Sequence, residues 1–183
     1  MIQKPTILRK ARVELKKQIG GDASIGDMEV SFFHHFPHIT LHLSNVTLRD
    51  RLWREHHHDL LQAEDMYLSL AFLRSLFAGK TRLGKVYVEK GSVYLFTDST
   101  GYSNISALNR GSTTPREEVQ PPDLSFSDVR LVMEKQDRHK FFDLEFRRLD
   151  CALNKNGRTL SLATEANVLV RSFAFNTEKG SFL

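Results

Sequence analysis

The stretch Ile39-Thr40-Leu41-His42-Leu43-Ser44-Asn45-Val46-Thr47-Leu48 alternates apolar and polar side chains. A period of two residues is typical of a strand that buries one of its faces. The alternation shifts by one position between Leu43 and Val46, which predicts a β-bulge near Ser44 and Asn45. We therefore expect this stretch to be a half-buried strand of a sheet.

The same alternation recurs on both sides of this stretch. Before it, Met28, Val30 and Phe32 alternate with polar or acidic residues. After it, Lys90-Gly91 between two alternating runs predicts a hairpin. The sequence therefore predicts a mainly β protein with eight or nine antiparallel strands. The other predicted strands cover residues 61–70, 82–89, 92–97, 124–134, 141–153 and 159–170, and a further one begins at Phe173 and Phe175.

Two short helices and a linker complete the predicted organisation. Pro5 and the apolar spacing of residues 6–19 predict a short N-terminal amphipathic helix, and residues 71–78 predict one small internal helix. Residues 109–122 collect Gly, Ser, Thr and Pro, which indicates a linker or mobile loop. The expected units are the basic helix (1–20), a β module (21–108), this linker (109–122) and a continuing β-meander (123–183).

The positive charge of the chain is confined to one end. The chain has 26 Lys and Arg against 22 Asp and Glu, yet residues 21–183 carry a net charge of −1. The basic residues near the N-terminus are Lys4, Arg9, Lys10, Arg12, Lys16 and Lys17, against the single acid Glu14. This distribution argues against a nucleic-acid-binding domain. It favours a helix with a solvated basic face, or one that lies on a membrane surface.

The sequence contains no pattern that predicts catalysis, a metal or a cofactor. Nucleotide-binding, hydrolase and zinc-protease motifs are absent. The histidines of residues 34–42 and 56–58 are interpreted as solvated polar residues, because we expect no acid beside His42 and the 56–58 triplet lies in a predicted polar loop. Cys151 alternates as an apolar position and is interpreted as a core thiol. We therefore expect a protein that is not an enzyme.

Two short helices are too small to cover the apolar face of so many strands. Three arrangements would solve this problem: a closed barrel, a second sheet packed on the first, or a curved sheet whose hollow holds something apolar. The alternation of residues does not choose among them.

Several segments follow the basic helix in a fixed order. They are IGDMEVSFF (25–33), FPHITL (36–41), LSNVTLRD (43–50), LQAEDMYLSL (61–70), GKVYV (84–88), GSVYL (91–95) and GYSNI (101–105). Each segment taken alone is only a packing pattern, but their order resembles the N-terminal region of the AsmA-like family of Gram-negative envelope proteins. The resemblance covers residues 5–108.

The resemblance implies both a fold and a function. Members of this family resemble bridge-like lipid-transfer proteins, in which a curved antiparallel sheet forms a taco-like β-groove lined with apolar side chains. The expected function is binding of phospholipid or other acyl-chain lipid for transport between inner and outer membrane and outer-membrane biogenesis. The expected location is the periplasm, tethered to the inner membrane by a helix upstream of Met1.

The apolar positions of the predicted strands supply the expected floor of the groove. These residues are Val30, Phe32, Leu41, Leu43, Met66, Leu68, Leu70, Val86, Val88, Val93 and Leu95. The same residues would also suit an ordinary dry core with the N-terminal helix in the hollow. A second interpretation is an interaction scaffold for envelope proteins, because an open sheet has edge strands that a partner extends.

Overall fold

The computed structural model describes residues 21–35, 39–71, 73, 84–108, 122–156 and 159–179. Strands dominate these residues, as the alternation predicts. The strands are β1 (Asp22–Ser24), β2 (Asp27–Ser31), β3 (Thr40–Arg49), β4 (Leu61–Ser69), β5 (Lys85–Thr97), β6 (Asp123–Lys135), β7 (Lys140–Asn156) and β8 (Thr159–Ala174). The helix α1 (Trp53–His56) and three 3-10 turns, Asn104–Leu108, Gln136–Arg138 and Thr177–Lys179, connect them.

The eight strands form one open, curved sheet. The order across the sheet is β1-β3-β4-β5-β6-β7-β8, and β2 pairs with β3 beside β1. The described strands therefore give neither a closed barrel nor two packed sheets, and the mainly β, curved-sheet expectation is confirmed. Both predicted β modules, residues 21–108 and 123–183, contribute strands to this single sheet.

One pairing differs from the predicted antiparallel meander. β5 and β6 run parallel, with Lys85 opposite Asp123 and Thr97 opposite Lys135. Parallel neighbours need a long crossover, because the chain must return to the starting end of the first strand. The chain between Thr97 and Asp123, which includes the predicted linker, carries this return. Alternation identifies strands but holds no information on their direction, which is why the sequence did not reveal this pairing.

The hairpin predicted at Lys90-Gly91 is wrong. β5 runs without a turn from Lys85 to Thr97. Lys90 has a φ of 50°, and a Cβ added to Gly91 would lie 2.3 Å from the carbonyl oxygen of Gln62. The glycine is therefore needed for the close approach of β5 to β4, and not for a turn.

A crease crosses the middle of the sheet. Asn45 in β3, Lys90 in β5 and Asp128 in β6 have positive φ angles of 50°, 50° and 54°. Lys90 and Asp128 interrupt the β5–β6 pairing at the same point. Asn45 is level with Glu64, and Glu64 is level with Lys90, so the irregular positions lie on one line across the strands.

The alternation of side chains shifts by one residue in each of the five strands from β3 to β7. The flanking apolar residues are Leu43 and Val46 in β3, Met66 and Ala63 in β4, Val88 and Gly91 in β5, Phe126 and Val129 in β6, and Leu149 and Phe146 in β7. The β-bulge predicted near Ser44 and Asn45 is wrong, because the β3–β4 register is the same on both sides and no residue of β3 is extra against β4. The shift of alternation there coincides with the positive φ of Asn45.

The crease keeps these flanking apolar residues on one side of the sheet, which we call the apolar face; the opposite side is the polar face. Each crossing strand gives two successive residues to the polar face at the crease. Each of these strands therefore gives the polar face one residue more than strict alternation would.

Three further predictions concern single elements. The strand predicted to begin at Phe173 is the end of β8, and a register irregularity between Asp143 and Leu144 explains the shift of alternation there. The predicted polar loop before β4 contains the short helix α1. The N-terminal helix lies outside the described residues, as does most of the internal helix predicted over 71–78, of which Ala71 and Leu73 are helical. Leu70, the last residue of the predicted strand before it, is helical too.

Candidate functional site

Rows of directly opposed residues build the apolar face. One row joins Leu43, Met66, Val88, Phe126 and Leu149 across five strands. On the other side of the crease, a second row runs from Val46 to Val168 through Ala63, Gly91, Val129 and Phe146. Directly opposed residues share a face of a sheet. The apolar face is therefore continuous from β3 to β8.

Burial is uneven along this face, and most of the predicted floor lies at its buried end. Leu41, Leu43, Leu68, Val86 and Val88 are only 2–5% exposed. Val30, Met66 and Val93 are half-buried against the same core, and Leu95 is half-buried. Phe32 and Leu70 are exposed at the ends of β2 and β4. The five buried residues form packed core in this structure, together with Leu73.

The exposed part of the apolar face lies in strands that the sequence-based choice of residues did not include. Leu162, Val168 and Val170 of β8 are 60%, 43% and 38% exposed. Val168 lies opposite Phe146, and Val170 lies opposite Leu144. We call Leu162, Val168 and Val170 the β8 patch. Beside it, Leu124, Leu131, Leu144 and Leu149 are only partly buried against the core.

An aromatic cluster lies at one end of the same surface. Phe142 of β7 contacts Phe173 of β8 edge to face, with ring centroids 4.8 Å apart. Phe175 contacts both rings and is itself exposed. Phe142 shares the apolar face with Leu144 because the two are alternate positions on that side of β7. The cluster therefore extends the β8 patch along the strands.

β8 is also an edge of the described sheet. It pairs with β7 along its length, and all of its residues from 161 to 170 are exposed. Leu169, on the polar face opposite Glu145, is 51% exposed. The alternation in the sequence indicated that β8 is amphipathic. It did not show that the strand lies at an edge, because this depends on the order of strands in space.

The polar face carries histidines that are bound to acids, and the expectation for His42 is wrong. Nε2 of His42 lies 2.7 Å from Asp65 Oδ1, and Nδ1 lies 3.1 Å from Glu29 Oε1. Burial lowers the pKa of His42, but the hydrogen bonds to Asp65 and Glu29 outweigh it and raise the pKa overall. The two acids come from β2 and β4, the strands on either side of β3. The sequence of β3 alone therefore does not indicate them.

The histidine triplet is likewise not simply solvated. The His56 side chain is 6% exposed, and its Nε2 donates to Asp50 Oδ1 at 2.9 Å, while Nδ1 accepts the His58 backbone N–H at 3.0 Å. Tyr102 donates to the other Asp50 oxygen. Burial, followed by this hydrogen bond, raises the pKa of Tyr102. Both ring nitrogens of His56 are engaged, so the cluster holds α1 against the turn after β5.

The other predicted features have simpler outcomes. Cys151 is half-buried on the apolar face, opposite Leu124. The predicted membrane-proximal residues Lys4, Arg9, Lys10, Arg12, Lys16 and Lys17 lie outside the described residues. Within the described ranges, none of the helices has the length and apolar character needed to cross a bilayer.

Comparison of the chain with models of protein families, with curated proteins and with solved structures finds no match.

Proposed function

We propose that the chain is a non-enzymatic, lipid-binding module of an AsmA-like envelope protein, and that acyl chains bind on the apolar face between β6 and β8. The observation that carries this proposal is the β8 patch, which continues a packed core outward into solvent without a change of face. Exposed apolar surface of this kind is favoured where a protein binds another apolar surface or a ligand.

The dimensions of the surface suit an extended acyl chain. From Phe142 to Cys151, the apolar side of β7 covers about 30 Å at about 3.3 Å per residue. This length is about twice the hydrocarbon thickness of one bilayer leaflet, which is roughly 15 Å. An acyl chain lying along the strands would therefore remain on apolar side chains over its whole length.

The energy of binding would come from removal of the chain from water. Burial of each CH₂ group contributes about 0.8 kcal/mol. Successive apolar rows of the sheet are chemically similar, so a chain that slides along β7 would exchange one set of contacts for an equivalent set. Because these contacts are equivalent, transport of lipid by the full-length protein would need no catalytic residue. The proposed location is the periplasm, with an inner-membrane tether and the basic N-terminal residues at the membrane surface.

β8 provides a matched pair of variants for the test. Val168→Asp places a charge on the apolar face, whereas Leu169→Asp places the same charge on the polar face of the same strand. Both side chains are exposed, so we expect both proteins to fold. Binding of a fluorescent fatty acid should weaken at least tenfold in Val168→Asp and remain within twofold in Leu169→Asp. Native mass spectrometry would show whether phospholipid co-purifies with each protein.

Equal binding by the two variants at matched folding, measured by circular dichroism, would overturn the proposed lipid surface. Substitution of Leu68 or Val88 is less informative, because these residues are buried and a charge there would unfold the chain.

The exposed edge of β8 supports a second candidate function, an interaction scaffold. A strand at the edge of a sheet can pair with a strand from a partner protein or from another segment of the same protein. Strand addition uses the backbone and both faces of the edge. Val168→Asp and Leu169→Asp should then impair envelope assembly equally in the full-length protein, and neither should change lipid binding.

A further inference from the structure

Three possible metal ligands meet on the polar face, away from the proposed lipid surface. His34 and His35 lie in the turn after β2, and Glu89 lies in β5 just before the crease. Nε2 of His34 is 3.2 Å from Glu89 Oε1, and Nε2 of His35 is 3.5 Å from the same oxygen. One ligand atom from each of the three side chains lies within 4.8 Å of the others.

These separations suit a zinc ion. Zinc binds imidazole nitrogen and carboxylate oxygen at about 2.0–2.2 Å in a tetrahedral arrangement, so ligand atoms lie about 3.3–3.5 Å apart. The two histidine–glutamate separations, 3.2 and 3.5 Å, are already close to this length. Movement of one histidine by less than about 1.5 Å would bring the third separation to it. We propose that His34, His35 and Glu89 form a binding site for a divalent transition metal, with Zn²⁺ as the best-suited ion.

Two tyrosines position the histidine rings. The His35 ring stacks on Tyr87 with centroids 3.7 Å apart, and the His34 ring stacks on Tyr67 at 4.6 Å. Tyr67 and Tyr87 are directly opposed in β4 and β5 and are both buried. The tyrosines therefore form a rigid platform that turns both Nε2 atoms toward Glu89. Partners behind the ligands fix ring orientation in metal sites in the same way.

Acids outnumber cations around the platform, where Lys85 Nζ lies 5.0 Å from the centroid of the Tyr87 ring and is bound to Asp150 Oδ1 at 2.9 Å. Glu29, Asp65 and Glu89 place three negative charges close to Tyr67. His42 binds both Glu29 and Asp65 and leaves Glu89 to the His34–His35 pair. A divalent ion would therefore meet one carboxylate and two imidazoles, with a fourth position for water.

A bound ion would join the turn after β2 to β5 across the intervening strands β3 and β4. This site faces away from the acyl-binding surface, so the metal proposal does not depend on the proposed function. The sequence suggested no such site, because Glu89 is more than fifty residues from the histidines and only the strand order brings them together.

Titration of the full chain with Zn²⁺ by calorimetry tests the proposal. We expect one ion to bind, and we expect Glu89→Gln to weaken binding at least tenfold. Glu89→Gln keeps the shape of the side chain, so it remains informative if His35→Ala fails to fold. The control is His57→Ala, an exposed histidine of the other cluster, which should leave the affinity within twofold. Co²⁺ in place of Zn²⁺ should give the visible absorption of a tetrahedral site in the wild type and lose it in Glu89→Gln.

Two results would overturn the proposal. Unchanged Zn²⁺ affinity in Glu89→Gln would show that the carboxylate is not a ligand. Binding that is lost in His57→Ala but retained in His34→Ala would assign the ion to adventitious capture by the 56–58 triplet.

Discussion

At Gly91, a single residue determines how closely two strands approach. A Cβ at this position would lie 2.3 Å from the backbone oxygen of Gln62 and 3.0 Å from the Cα of Ala63. Neither atom belongs to a side chain that moves aside. Gly91→Ala should therefore displace β5 from β4 and lower the free energy of unfolding by about 1–3 kcal/mol, as overpacking typically does. Urea denaturation followed by circular dichroism measures this change.

Gly101 provides the comparison for Gly91. It has a φ of 88° and open space around it, so the backbone conformation, and not a neighbouring atom, determines which residues fit. Asn tolerates positive φ, and Gly101→Asn should cost no more than about 1 kcal/mol. If Gly91→Ala were as stable as the wild type, the close approach of β5 to β4 would not be a requirement of the fold.

At the scale of the element, the crease depends on backbone conformations that most residues avoid. Asp128 has a φ of 54° within β6, whereas its neighbour Ser127 pairs regularly with Glu89. Asp128→Gly should relieve strain and leave the protein as stable as the wild type or more stable by up to about 1 kcal/mol. Ser127→Gly should instead destabilise it by about 0.5–1 kcal/mol, because glycine weakens a regular strand. Urea denaturation of the two variants measures both changes in the free energy of unfolding. If Asp128→Gly destabilised the protein as much as Ser127→Gly, the backbone at Asp128 would not be strained.

The parallel junction between β5 and β6 is tied to β7 by one carboxylate. Lys85 Nζ and Ser125 Oγ donate to Asp150 Oδ1 at 2.9 and 2.8 Å, and Arg148 Nε donates to Oδ2 at 3.0 Å. The hydrogen bond from Lys85, followed by that from Ser125, lowers the pKa of Asp150 from 3.8 to about 2. Asp150 therefore connects residues of three adjacent strands.

This pKa gives a pH dependence with a definite sign. A carboxylate with a lowered folded-state pKa stabilises the fold above its unfolded pKa, and the stabilisation is lost as pH falls through the folded value. The wild type should exceed Asp150→Asn in stability by a constant amount above about pH 5. The difference should shrink between pH 3.8 and about 2. Urea denaturation of both proteins over a pH series measures this difference in the free energy of unfolding. Glu64→Gln, which removes an exposed pair with Lys90 at 3.8 Å, should have little effect at any pH.

Some elements could be predicted from the sequence and others could not. Period-two alternation located β2, β3, β6, β7 and most of β8, because burial of one face requires it. Lys90-Gly91 resembled a turn because the sequence does not distinguish a glycine needed for a hairpin from one needed for a close approach. The β8 patch and the His34–His35–Glu89 group depend on which strands are neighbours, and local pattern does not specify neighbours.

At the scale of the molecule, the sheet differs from one face to the other and from one edge to the other. The apolar face is packed at β3–β5 and exposed at β8. The polar face holds the histidines and acids near β4 and β5. The crease crosses the strands between these regions and keeps the two rows of apolar residues on the same face. Lipid binding and metal binding would thus use opposite faces of one sheet, so each proposal has its own test.

The pairing of β5 with β6 joins the two β modules into one sheet. Twelve residue pairs join β5 to β6, and Phe126 and Val129 of β6 pack in the same core as Val88 of β5. The two β modules separated by residues 109–122 therefore share a sheet and a core. A protease recognition sequence inserted after Gly111 would allow the chain to be cut there. We expect the two fragments to elute together from a gel-filtration column, with an unfolding midpoint close to that of the uncut chain, and to separate only in denaturant. Separation in native buffer into two folded fragments would show instead that each module is stable alone, and that the β5–β6 pairing does not hold the molecule together.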